Sequence, residues 1–215
     1  MQKTEKIKNI IFDFGGVILN IDYQRTIQAF NEIGFNDFEK AYSKASQHLL
    51  FDRLETGEIS AQEFRDGIRK VTGINLNDVV IDFAWNKIIL DLPEKRIRLL
   101  KELKSKYKTF LLSNTNKIHY DIYSKDLQKY GFQHFNEIFE KAYFSFELGM
   151  RKPNREIFEF VLNEQKLIPD ETLFIDDSIQ HIETAEKMGI ITYHLSSKVD
   201  ITHLFDKNYN LKILE

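Results

Sequence analysis

Five short apolar runs constrain the architecture: "NIIFDF" (9–14), "KTFLLSN" (108–114), "KAYFSF" (141–146), "TLFIDD" (172–177) and "IITYHL" (190–195). Each is rich in Ile, Leu, Phe, Tyr or Thr and has the length of a strand covered on both faces. Helix-spaced segments separate the last four. Segment 116–131 ends at Gly131. Segment 153–166 opens with Pro153 at a helix start and carries Ile157, Phe158, Val161 and Leu162 on one face. Segment 178–189 ends at Gly189, a C-cap residue. Strands alternating with helices predict an α/β protein built on a doubly wound parallel sheet.

The first interval breaks this rhythm. Residues 15–107 separate the first two runs, yet only 93–106 is needed as a crossover helix. Four segments before it have apolar residues at helical spacing: "YQRTIQAFNEI", "FEKAYSKASQHLLFDRL", "SAQEFRDGIRKVTG" and "NDVVIDFAWNKII". Ser60 and Glu63 have the spacing of a capping box opening the third. The expected organisation is an α/β core from residues 1–19 and 91–215, with residues 20–90 inserted as an all-helical cap domain.

Composition narrows the partners. Net charge is −3, from 30 basic and 33 acidic residues, so no charge excess points to nucleic acid or an anionic membrane surface. Without cysteine, disulfides, thiol catalysis and Cys-zinc sites are excluded. The run "IIFDFGGVIL" carries an Asp and is too short to span a membrane, and the polar stretch before it lacks secretory-signal form. The expected location is the cytoplasm. Nothing in the residues bears on oligomeric state.

In an open parallel sheet, ligands bind beyond the carboxyl ends of the strands. The first strand ends in Asp13, then Gly15-Gly16; the second in Ser113-Asn114-Thr115; the third leads to Gly149, Arg151, Lys152 and Pro153; the fourth ends in Asp176-Asp177-Ser178. Asp13, Asp176 and Asp177 are hard oxygen donors suited to Mg²⁺. Ser113 and Asn114 offer hydrogen bonds to oxyanions, and Lys152 adds a positive point charge. Together they would neutralise a phosphoryl group. A carboxylate such as Asp13 can also act as a nucleophile, giving an aspartyl-phosphate. Asp13-Phe14-Gly15 spells the magnesium motif of kinases. Its context is wrong for one, since no Gly-rich loop precedes it and no HRD occurs in the chain.

The ordered set "FDFGGVI", "LLSNTN", "LGMRKP" and "LFIDDS" resembles the haloacid dehalogenase superfamily. The insertion after the first motif looks like the helical cap of its subfamily I. The pieces "GVILNID", "GEIS", "LSNTN" and "ELGMRKP" look closest to the bacterial alpha-D-glucose-1-phosphate phosphatase branch. The resemblance implies that Asp13 is the nucleophile and a Mg²⁺ ligand, with the Gly15 carbonyl a second ligand. Phe14, Gly15, Ser113, Asn114 and Lys152 would contact the phosphate, and Lys152 would also orient Asp13. Asp177 would bind the metal directly, with Asp176 beside it or acting through water. One position departs from the pattern. Many superfamily phosphatases carry an acid-base Asp two residues after the nucleophile, where this chain has Gly15. Three readings follow: an acid from elsewhere, such as Asp22 or a cap residue; a leaving group that needs little protonation; or a slow or inactive enzyme. The branch it resembles shares the gap, which favours the first two.

The remaining polar residues have structural readings. Asp22 fits a helix N-cap. Arg53, Glu55 and Glu58 fit a solvated loop. His119, His181 and His194 lack metal spacing and fit surface or core, and Trp85 fits packing. The expected function is a Mg²⁺-dependent phosphatase acting on a small phosphorylated metabolite, of which a sugar phosphate is the first candidate. The alternatives are a 2-haloacid dehalogenase, against which the Asp176-Asp177 pair argues, and a non-catalytic binding protein retaining the fold.

Overall fold

The computed structural model describes residues 6–35, 38 and 49–212. Five strands, β1 Asn9–Phe12, β2 Lys108–Ser113, β3 Lys141–Phe144, β4 Thr172–Asp176 and β5 Ile191–His194, form one parallel sheet in the order β3-β2-β1-β4-β5. Each strand stops one or two residues short of the apolar run that announced it. At β1, β2 and β4 the residues left over include Asp13, Phe14, Asn114 and Asp177, all expected to serve the site.

The sheet is buried on both faces, and alternate residues divide between them. Ile10, Phe12, Leu111, Leu173 and Ile175 share one cluster with the helices α5 Glu94–Leu103 and α6 Lys117–Gln128. Ile11, Phe110, Leu112 and Phe174 share the other with α8 Arg155–Gln165 and α9 Ile179–Lys187. Between β3 and α8 lies a single helical turn, α7 Ser145–Leu148, closed by Gly149. Pro153 was expected to open α8. The helix instead starts after Asn154, which takes extended N-cap angles, and Pro153 belongs to the loop, joined to Lys152 by a cis peptide.

Between β1 and α5 the described residues form four helices: α1 Tyr23–Glu32, α2 Leu49–Glu55, α3 Ala61–Thr72 and α4 Asp78–Asn86. The helix expected over 38–54 is seen only in part, since residues 39–48 lie outside the described residues. Asp22 caps α1 by accepting from Gln24 N at 2.9 Å, and the Ser60–Glu63 capping box opens α3. These helices share a cluster rich in rings, Phe30, Phe35, Phe38, Phe51, Phe64 and Trp85, which Ile118 of α6 joins from the α/β side. Outgoing and returning chain run side by side, with Asp22 N donating to Ile88 O, Leu90 N to Asn20 O, and Asn20 N to Asp91 O.

Candidate active site

The strand order makes β1 the switch point. Its neighbours β2 and β4 lead away in opposite directions, so a crevice opens at their carboxyl ends. Asp13, the first residue past β1, keeps one ladder bond, from its N–H to Ile175 O at 2.9 Å. That bond sets it beside Asp176, the last residue of β4.

Lys152 joins the two. Its Nζ donates to Asp13 Oδ1 at 2.6 Å and to Asp176 Oδ2 at 2.7 Å, with the side chain fully buried. The loop that delivers it is gripped by Asn114, whose Oδ1 accepts from Lys152 N at 2.9 Å and whose Nδ2 donates to Lys152 O at 2.8 Å. Asn114, expected on the phosphate, therefore uses its amide to hold the lysine backbone. Ser113, at the end of β2, is buried beside it. The ends of β2 and β3 are braced by Ser145 Oγ, which accepts from Thr115 N and donates to Thr115 O, both at 2.9 Å.

Asp176 is saturated. Besides Lys152, its Oδ1 accepts from Ser178 N at 2.7 Å, and His181 Nδ1 lies 2.9 Å from both of its oxygens. A carboxylate can only accept, so that imidazole nitrogen carries the proton. Asp177 is exposed, and its Oδ2 presses on the turn after β1. A Cβ at Gly16, where φ is +79°, would sit 2.3 Å from that oxygen, so only glycine fits there. The Phe14 ring points away into the core, 4.8 Å from Tyr123 and 5.3 Å from Phe135 between centroids, which leaves its backbone for the site. At Gly15 a Cβ would meet only the tip of Ile21, at 3.2 Å.

Three carboxylates, Asp13, Asp176 and Asp177, thus bring oxygens within 4.8 Å of one another. Against them stands one ammonium, Lys152. Burial and the neighbouring acids raise Asp13 above the carboxylate range, although Lys152 pulls the other way. Partial desolvation in the crevice raises Asp177 as well, with Asp176 adding to it. Burial works against ionisation of Asp176 too, yet Lys152 and His181 hold it well below the usual range. Lys152 is raised because its two acids outweigh its burial. Burial lowers His181 and keeps it neutral near pH 7. Three acids thus share one ammonium, the raised Asp13 and Asp177 show that further negative charge is disfavoured there, and all the donors are hard oxygens. That is the deficit a divalent cation such as Mg²⁺ would fill.

A family model for haloacid dehalogenase-like hydrolases matches residues 7–189. The chain belongs to this family. A D-ribitol-5-phosphate phosphatase of Bacteroides thetaiotaomicron is 34% identical over 195 residues, 90% of this chain and 94% of that one. A haloacid dehalogenase family enzyme of the same organism was solved as an aspartate-to-alanine mutant with magnesium and inorganic phosphate. It superposes with a TM-score of 0.87 at 40% identity, covering 94% of this chain and 100% of that one. A predicted hydrolase of the family from Porphyromonas gingivalis gives 0.84 at 31% identity, covering 92% and 96%. No glucose-1-phosphate phosphatase is named among these three, so the branch stays unconfirmed.

The family motifs converge, and the structure adds residues that they do not contain. His181 was read as surface or core and instead lies against Asp176. Its place in the first turn of α9, the helix that starts just beyond Asp176, was the available signal. Glu55 was read with Arg53 and Glu58 as solvated. Arg53 Nε and Glu58 Oε1 do form an exposed pair at 2.7 Å. Glu55 turns inward, 3.1 Å from Arg151 Nη2, with its side chain 16% exposed. Tyr23 opens α1 with 48% of its surface exposed, and desolvation of its hydroxyl end together with the charges of Asp177, Glu55, Asp13 and Asp176 raises it above the ordinary range. No sequence pattern marked either residue.

Proposed function

We propose that this chain is a Mg²⁺-dependent phosphatase that hydrolyses a small phosphorylated metabolite, a sugar or polyol phosphate, through an aspartyl-phosphate on Asp13. The observation that carries this reading is the state of Asp13. Lys152 holds its Oδ1, while its Oδ2 takes no hydrogen bond among the described residues, and it stands at the switch point of the sheet. A nucleophile needs one oxygen fixed and one free.

Asp13 Oδ2 would attack phosphorus, breaking the ester bond, and water would then release phosphate and regenerate the carboxylate. Lys152 favours the ionised form of Asp13 against its burial and orients it. Ser113 and the backbone at Phe14 and Gly15 would hold the phosphoryl oxygens, while Asn114 fixes the lysine loop. Mg²⁺, held by Asp13, Asp177 and the Gly15 carbonyl with Asp176 alongside, would neutralise charge on the phosphoryl group. The free carboxylate of Asp177 favours it as the direct ligand; Asp176 already has four contacts.

Residues 20–90 would act as a cap that closes over the substrate and excludes water. Their ring-rich cluster and the paired chain segments at 20–22 and 88–91 support this. The polyol phosphate class follows the related D-ribitol-5-phosphate phosphatase. We place the enzyme in the cytoplasm, where such metabolites are made; no helix among the described residues is long and apolar enough to cross a membrane. Haloacid dehalogenase activity is disfavoured, because Asp176 and Asp177 would repel a carboxylate substrate.

The test is phosphate release from D-ribitol 5-phosphate, a panel of sugar phosphates and p-nitrophenyl phosphate, with Mg²⁺ or with EDTA. Release that requires Mg²⁺ and falls by at least about 10³-fold in Asp13→Asn is expected. Release indifferent to EDTA or to the substitution contradicts the proposal, and EDTA-insensitive chloride release from 2-chloropropionate would replace it with the dehalogenase.

A further inference from the structure

Gly15 leaves the attack without an acid for the leaving group. An alkoxide leaving from a polyol phosphate is a strong base, so the step needs a proton donor near the ester oxygen. Asp22 is engaged as the N-cap of α1 and is half-exposed. Glu55, the last residue of α2, is a shielded carboxyl with one oxygen that accepts no hydrogen bond.

Three observations place it. The turn that follows α2 is docked on the loop after β3: a Cβ at Gly57, where φ is +67°, would lie 2.2 Å from Phe146 O. Arg151, next to Lys152, reaches across to α2, pairing with Asp52 and lying 3.1 Å from Glu55 Oε2. That oxygen is shut off from solvent, yet it receives no hydrogen bond, because the guanidinium is out of alignment with it. Glu55 therefore lies against the loop that carries Lys152, at the carboxyl ends of the strands, with hydrogen-bonding capacity left unused.

We propose that Glu55 is the general acid-base of the reaction, supplied from α2 in place of the acid missing at Gly15. The inference rests on the phosphatase reading above. In the first step, Asp13 Oδ2 bonds to phosphorus and the P–O ester bond breaks, with its electron pair going to the substrate oxygen. The Glu55 carboxyl gives that oxygen its proton and is left as a carboxylate. In the second step, the carboxylate takes a proton from water as the water oxygen bonds to phosphorus. The bond from phosphorus to Asp13 breaks, Asp13 is freed as a carboxylate, and Glu55 is protonated again.

The surroundings suit the role. Burial pushes the Glu55 carboxyl up to about 7, with Lys152 pulling the other way. The charged and titratable groups facing it are Arg151 and Lys152 from the loop before α8, Tyr23 from α1, and Asp52 on its own helix, tied to Arg151. An acid poised near neutrality serves both half-reactions.

The test compares kcat/KM of wild type and Glu55→Gln on two esters with opposite needs. D-ribitol 5-phosphate has an alcohol leaving group that requires the proton; p-nitrophenyl phosphate has one that does not. The expected result is a loss of about 10² to 10⁴ on the first and less than about tenfold on the second. The ratio of the two values on one preparation does not depend on how much of the variant is folded. The wild-type profile on the alcohol ester should also fall on the alkaline side of about pH 7, as Glu55 loses its proton, and that limb should be absent from the variant. Equal losses on both esters, or no loss, overturn the inference and leave the phosphatase reading standing. A wild type inactive on both esters overturns that reading, and this inference with it.

Discussion

Lys152 is the residue on which the site turns. A lysine with no exposed side-chain surface is tolerated only because two carboxylates meet it within hydrogen-bond distance. Removing it leaves Asp13 and Asp176 facing each other without a cation. Lys152→Met should therefore destabilise the metal-free protein by about 3–5 kcal/mol, the range for breaking a buried ion pair. Urea denaturation measures this, and added Mg²⁺ should recover part of the loss by taking over the charge. A variant as stable as wild type would mean that the acids are not held in check by this lysine. The residue types of the site were legible in the sequence, since Asp13, Lys152 and Asp176-Asp177 each end or follow a strand. The uses of single side chains were not. Whether Asn114 faces a ligand or the Lys152 backbone depends on a contact across 38 positions of the chain, and no local pattern encodes it.

At the scale of elements, the helices between β1 and α5 meet the α/β part through α4 and α6. Trp85 in α4 stacks on His119 in α6, with ring centroids 4.7 Å apart, and His119 Nδ1 lies 2.9 Å from Asn86 Oδ1. Burial lowers this imidazole to about 3. The unfolded chain takes up a proton below about pH 6.5, while the folded one resists until about pH 3, so stability falls as pH falls through that window. Between pH 7 and pH 5 the difference amounts to about 2 kcal/mol. His119→Gln should remove it, so the stability advantage of wild type over the variant should shrink by about that much at pH 5. An advantage that does not change with pH would show that His119 is not protected. The helices and strands themselves were legible, because helical spacing and runs of buried apolar residues are local signals. The inward turn of Glu55 was not, since it depends on Gly57 docking against Phe146 in a distant segment.

For the whole molecule, the strand order β3-β2-β1-β4-β5 explains why motifs from distant parts of the chain meet. Each motif lies just beyond the carboxyl end of a strand, and parallel strands bring all those ends to one edge of the sheet. The alternation of strand and helix made a doubly wound sheet legible from the sequence. The order of the strands, which decides that Asp13 and Asp176 are neighbours, became visible only in the pairing of β1 with β4. The central claim is that Asp13 becomes covalently phosphorylated during turnover. Acid-quenched protein, sampled with Mg²⁺ and a phosphate ester and analysed by mass spectrometry, tests it directly. The account predicts one hydroxylamine-labile phosphoryl group on the peptide containing Asp13, absent with EDTA and absent from Asp13→Asn. Turnover with the phosphoryl group on any other residue would contradict it.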